Sequence, residues 1–186
     1  MFVVRSLDST DSDEILRVLR DDGGYAMRVN GEKTDSRTVA SLLNDKPPEV
    51  GADDHHVMGL WVDDELAGVA SFVAGWPSPD IAYLGLLQLR TSHQGRGLAR
   101  AFHHALRTEF PGRWRLTTVV DTNAEVLPFW GRLGYARTGK RKSGPVIRAF
   151  ATKLSSWNFR LHVSALLRST RCPHREHFSR FSSQSP

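Results

Sequence analysis

Apolar residues along this chain fall into two rhythms, short unbroken runs and stretches that recur every three to four positions. Phe2-Val3-Val4 is the first run and reads as a strand. Asp8–Asp11 then offers several N-caps for a helix whose apolar side is Ile15, Leu16, Val18 and Leu19, and Gly23-Gly24 closes it. Residues 25–33 read as a loop. Thr34-Asp35-Ser36 caps a second short helix with Val39, Leu42 and Leu43 turned inward, stopped by Pro47-Pro48. Gly51–His56 reads as a polar loop. Val57–Val62 and Leu66–Ala74 flank Asp63-Asp64-Glu65 and predict a hairpin. After Trp76–Asp80, Ile81–Arg90 is apolar, with a Tyr, a Gly and a Gln inside it, and has the length of a buried strand.

The rhythm then changes to helical. Leu98, Ala101, Phe102, Ala105, Leu106 and Phe110 share one face. Pro111-Gly112 breaks the chain, and Trp114–Val120 reads as a further strand. Asp121–Asn123 turns into a helix bearing Val126, Leu127, Trp130 and Leu133. Pro128 lacks an N–H, so regular helix begins no earlier than about Glu125, and Gly134 suits the left-handed position after it. Tyr135–Thr138 and Val146–Leu154 are the expected last strands, joined by the basic turn Gly139–Pro145. The order β-α-α-β-β-β-α-β-α-β-β is a mixed α/β plan with an antiparallel hairpin near its middle.

Where strand Ile81–Arg90 hands over to the next helix, the chain reads Gln94-Gly95-Arg96-Gly97-Leu98-Ala99. A strand feeding a glycine turn that opens a helix aims unpaired N–H groups and the positive dipole end at one point, a ready site for phosphate. Two other phosphate motifs are near misses. Gly95-Arg96-Gly97-Leu98-Ala99-Arg100 has Arg100 where a dinucleotide fold needs its third glycine, and a hairpin precedes it in place of a βαβ unit. In Gly134–Arg141, Arg141 replaces the Ser/Thr that a P-loop uses to hold Mg²⁺.

Charge and composition narrow the picture further. The chain has 186 residues and a net charge of +5, but residues 155–186 carry five arginines against Glu176 alone, four of those five charges. The remainder is near neutral, so its pI does not mark a nucleic-acid binder. Residues 1–154 are expected to form one domain and 155–186 a weakly ordered basic Ser/Arg-rich tail. No apolar run approaches the ~20 residues of a membrane span. The N-terminus turns acidic early, unlike a secretory signal, and the single Cys172 fits a reducing, cytoplasmic setting. His93, His103 and His104 read as the solvated outer face of the long helix, since adjacent helical residues diverge and cannot chelate together. No metal site and no nucleophile motif is found.

Gln94–Ala99 fits the Q/R-x-x-G-x-G/A pattern of the GCN5-related N-acetyltransferases. About thirty residues on, Asn123 followed by Phe129-Trp130-Gly131-Arg132-Leu133-Gly134-Tyr135 resembles that family's N…A…lYeklGF segment. The resemblance covers roughly residues 2–154. It implies a mixed, mostly antiparallel sheet flanked by helices, with acetyl-CoA as co-substrate and an amine as acceptor. Gln94, Gly95, Arg96, Gly97, Leu98 and Ala99 would hold the pyrophosphate. The backbone of Leu87, Gln88 and Leu89 would bind pantetheine, with the Leu89 N–H as oxyanion donor, and Asn123 and Trp130 would also line the co-substrate. Trp130 stands where the family often has a thiolate-protonating Tyr, and an indole N–H is a donor without a readily released proton. Asp121 is the first candidate base and Tyr83 the second, while Asp121 equally suits a turn before a helix. Tyr135 is assigned to the core. Asp53 and Asp54 lean towards a cationic acceptor. A non-catalytic acyl-CoA sensor or scaffold is the alternative; oligomeric state, a homodimer included, stays open.

Overall fold

A computed structural model of the chain describes residues 1–117 and 121–137. Among these described residues five strands form one sheet in the order β1 (Phe2–Ser6), β2 (His55–Val62), β3 (Glu65–Ala74), β4 (Ile81–Leu89) and β5 (Arg113–Leu116). The first four are antiparallel neighbours, and β5 runs parallel to β4. The β2–β3 hairpin closes on Asp63-Asp64 alone, both at positive φ (49° and 63°), the backbone a two-residue turn between twisted strands requires.

Alternation along the strands makes two apolar faces. On one, Met58, Leu60, Phe72, Leu84, Trp114 and Leu116 pack with Phe102 and Leu106 of α4 (Leu98–Glu109). On the other, Val57, Leu66 and Val69 meet Ile15, Val18 and Leu19 of α1 (Ser12–Arg20) and Val39 and Leu42 of α3 (Ser36–Asn44). The Asp35 carboxylate accepts from the Thr38 N–H at 3.1 Å and caps α3.

Three expectations change. Residues 25–33 are not all loop, because Tyr25–Asn30 form α2 between left-handed Gly24 and Gly31. Its Arg28 lies 3.6 Å from Glu125. His55 and His56 belong to β2, where the His56 ring stacks on Phe72 at 4.9 Å; Asp53 and Asp54 sit in an exposed 3₁₀ turn before it. The chain from Asp121 to Val126 is a 3₁₀ turn kinked at Asn123, and α5 (Leu127–Arg132) follows as expected, with Pro128 in its first turn and Gly134 at φ 89° beyond it; the strand expected from Tyr135 is the third change. Tyr135, Ala136 and Arg137 belong to no strand, while Thr138, Val146–Leu154 and the tail from Ser155 lie outside the described residues.

The departure that matters most for function is in β4. Ser71 faces Leu86 and Phe72 faces Leu84, so Gly85 is an extra residue, a β-bulge. β5 pairs with β4 only as far as Leu84, whose carbonyl accepts from the Thr117 N–H at 2.9 Å. From Gly85 onward, no described strand lies on that side of β4.

Candidate acetyl-CoA site

The Arg90 N–H donates to Ala67 O at 2.9 Å, which sets the alternation along the end of β4. Leu86 and Gln88 turn their backbone groups to β3, and Leu87 and Leu89 turn theirs to the open side. The Gln94 side chain agrees, since its Nε2 donates to the Leu89 carbonyl at 2.9 Å from that side. Gln88 is therefore not brought to the opening: its side chain crosses to α1, donating to Val18 O at 2.8 Å.

Beyond β4, a 3₁₀ turn over Thr91–His93 leads to Gly95 (φ 72°) and Gly97 (φ 79°), and Gly97 is the N-cap of α4. A Cβ at either glycine would meet nothing within 4 Å, so the left-handed backbone, and not crowding, requires glycine there. Among the described residues no side chain caps α4. Its first turn thus presents the N–H groups of Leu98, Ala99 and Arg100 with the dipole's positive end. Arg96 is exposed beside them and makes no hydrogen bond or ion pair among the described residues. The turn is tied down from behind. Asp21, past the end of α1, accepts from the Thr91 hydroxyl and lies 3.3 Å from Arg90 Nε, and the Thr91 hydroxyl foremost holds its carboxyl below the usual range.

α5 closes the neighbourhood on the α4 face. Trp130 is half-buried against the core, with its ring centroid 5.4 Å from Tyr135. Beneath it His103 Nε2 and the Tyr135 hydroxyl lie 2.8 Å apart. Burial lowers the His103 pKa to about 4, and burial likewise raises that of Tyr135. This overturns the outer-face assignment for His103, 2% exposed, and for His93, 7% exposed; His104 alone faces solvent. The core assignment of Tyr135 stands. Tyr83 lies on the opposite sheet face, edge-on to Trp76 at 4.9 Å. Asn123 is half-buried at the kink after β5, and the side chain of Asp121 lies outside the described ones.

A bulged strand with one open edge, running into a left-handed glycine turn and an uncapped helix, can hold an extended group along β4 and its anionic end at α4. The family model described as the acetyltransferase (GNAT) family matches residues 20–135. The chain belongs to the GNAT acetyltransferase family.

Solved structures agree on the GNAT fold. An acetyltransferase from Thermus thermophilus superposes with a TM-score of 0.64 at 22% identity, covering 78% of this chain and 92% of that one. The ribosomal-protein-S18-alanine N-acetyltransferase of Escherichia coli gives 0.57 at 20% identity, over 78% of this GNAT chain and 84% of its own. PaiA N-acetyltransferase of Thermoplasma acidophilum, solved with coenzyme A, gives 0.54 at 13% identity, over 77% and 94%. No curated protein matches the chain. No helix among the described residues is long and apolar enough to cross a membrane.

Proposed function

We propose that this GNAT protein transfers the acetyl group of acetyl-CoA to a primary amine of a small molecule or peptide, by direct attack in a ternary complex. The observation that carries this reading is the juxtaposition of two open backbone edges, the Leu87–Leu89 side of β4 and the first turn of α4. The turn Gln94–Ala99 holds the pyrophosphate, with Arg96 adding a charge-assisted contact. The outward backbone groups of Leu87 and Leu89 hold the pantetheine arm, Asn123 and Trp130 line it, and the Leu89 N–H is the donor for charge developing on the carbonyl oxygen. The amine must shed a proton before the new C–N bond is complete, and Asp121 and Tyr83 are the candidate acceptors. Trp130 packs against the co-substrate, and the leaving thiolate takes its proton from water.

Thiol release from acetyl-CoA across a panel of amines tests the proposal, turnover on at least one being the expected result. Trp130 at the position of the family's acidic Tyr favours a second reading, an acyl-CoA sensor. Acetyl-CoA binding without turnover on any amine would establish it.

A further inference from the structure

β5 places two arginines side by side on the sheet face opposite α4, and among the described residues only one is neutralised. Arg113 Nε lies 2.7 Å from the Asp80 carboxylate. Arg115, next along the same face, is half-buried, its Nε is enclosed without an acceptor, and its guanidinium makes no hydrogen bond or ion pair among the described residues. Beyond β5 the sequence holds three acidic residues, Asp121, Glu125 and Glu176, and Glu125 lies beside Arg28. Residues 138–154 contain no Asp or Glu and five Lys or Arg. A guanidinium is a permanent cation with a planar fork of donors, and leaving it partly buried without a counter-charge costs stability that a folded chain normally avoids.

We infer that Arg115 is the carboxylate anchor of the acceptor, so that the amine acetylated belongs to a small molecule carrying its own carboxylate, an amino acid. The inference rests on the acetyl-transfer reading above and adds the class of acceptor. Its geometry follows from the sheet. α4, α5 and the glycine turn occupy one face, so the acetyl-CoA arm enters the β4–β5 opening from there, and the acceptor approaches from the other. On that other face, registers across the sheet put His55, Val73, Tyr83 and Arg115 in one row over β2 to β5. Arg115 is the row's one fixed charge, since burial lowers the His55 pKa below its ordinary value. It stands two residues before Thr117, where the pairing of β4 and β5 ends, about 7 Å along the strand. A carboxylate in its fork therefore leaves the α- or ω-amine of the same molecule within reach of the opening.

The test is a binding titration of the full chain by ligand-observed NMR, with and without CoA. Its probes are N-acetyl derivatives of the common amino acids and the matching N-acetyl carboxamides. At least one carboxylate is expected to bind about tenfold tighter or more than its carboxamide. Arg115→Gln should erase that preference while CoA binding is kept, and Arg115→Lys, which keeps charge without the fork, should leave part of it. Equal binding within every pair, binding of neither member, or a preference that survives Arg115→Gln overturns the inference. Should Arg115→Gln fail to fold, the wild-type pairs and Arg115→Lys still decide. Failure to bind CoA would instead overturn the acetyl-transfer reading, and the CoA-free titration scores the carboxylate preference separately.

Discussion

The Gln94 side chain reaches back over its own turn and donates from Nε2 to the carbonyl of Leu89 at 2.9 Å. One hydrogen bond thus joins the glycine turn to the strand end whose N–H is the candidate donor to the acetyl group. Gln94→Ala removes it, a loss of about 1 kcal/mol. Isothermal titration should show acetyl-CoA affinity falling about fivefold, with the melting temperature nearly unchanged because the turn is exposed. Gln94→Glu sets a carboxylate against a carbonyl and should be worse.

Two glycines of the sheet separate stability from function. A Cβ on Gly68 would stand 2.9 Å from the backbone oxygen of Gln88 and 3.1 Å from Leu89 Cγ, so Gly68→Ala pushes the open end of β4 itself. A Cβ on Gly59 would stand 2.8 Å from side chains of Leu7 and Leu66, in the core under α1. Both substitutions should lower stability by about 1–3 kcal/mol. Only Gly68→Ala should also raise KM for acetyl-CoA severalfold in a thiol-release assay.

His103 predicts a pH dependence of folding. Its folded pKa of about 4 lies below the ordinary 6.5, so between those values the unfolded chain binds a proton that the folded one refuses. The stability held by the neutral ring is complete above pH 6.5 and is lost as pH falls towards 4, about 3 kcal/mol in all. Denaturant titrations across that range should show a shallower slope for the double variant His103→Phe/Tyr135→Phe than for wild type. Tyr135→Phe alone leaves a buried ring nitrogen unpartnered and should cost about 1–3 kcal/mol at neutral pH.

Trp130 permits a gain-of-function test. If water protonates the thiolate, Trp130→Tyr supplies a phenol in its place and should raise kcat, with the rise fading as pH approaches the phenol's own pKa near 10. Trp130→Phe, which keeps the packing, should leave kcat close to wild type.

Apart from α2, the strands and helices as far as α5, the glycine turn and the Asp35 cap are legible in sequence because each rests on local rules of period, caps and left-handed glycine. What escaped depends on partners distant along the chain. Tyr25–Asn30 is too short, between two glycines, to announce a helix. His103 looks solvent-facing beside His104, yet its neighbours on α4 are Leu106 and the buried side of Phe102, and its partner Tyr135 is 32 residues away. Arg115 reads as one half of an ordinary polar alternation in Arg113-Trp114-Arg115-Leu116. Only the pairing of Asp80 with its neighbour Arg113 makes it conspicuous.

Gly85 divides β4 in two. Upstream of it, Leu84 turns its carbonyl to β5 and its side chain to α4; downstream, Leu87 and Leu89 keep the apolar side on α4 while Gln88 reaches α1. Because Gly85 has no partner on β3, removing it would leave Leu86 to Leu89 opposite the same residues, Ser71 to Gly68, and on the same faces. What would go is the local bend at the point where β4 and β5 part. Core packing follows the register with β3 and the opening follows the bulge, so a one-residue deletion at Gly85 should keep the fold while closing the site.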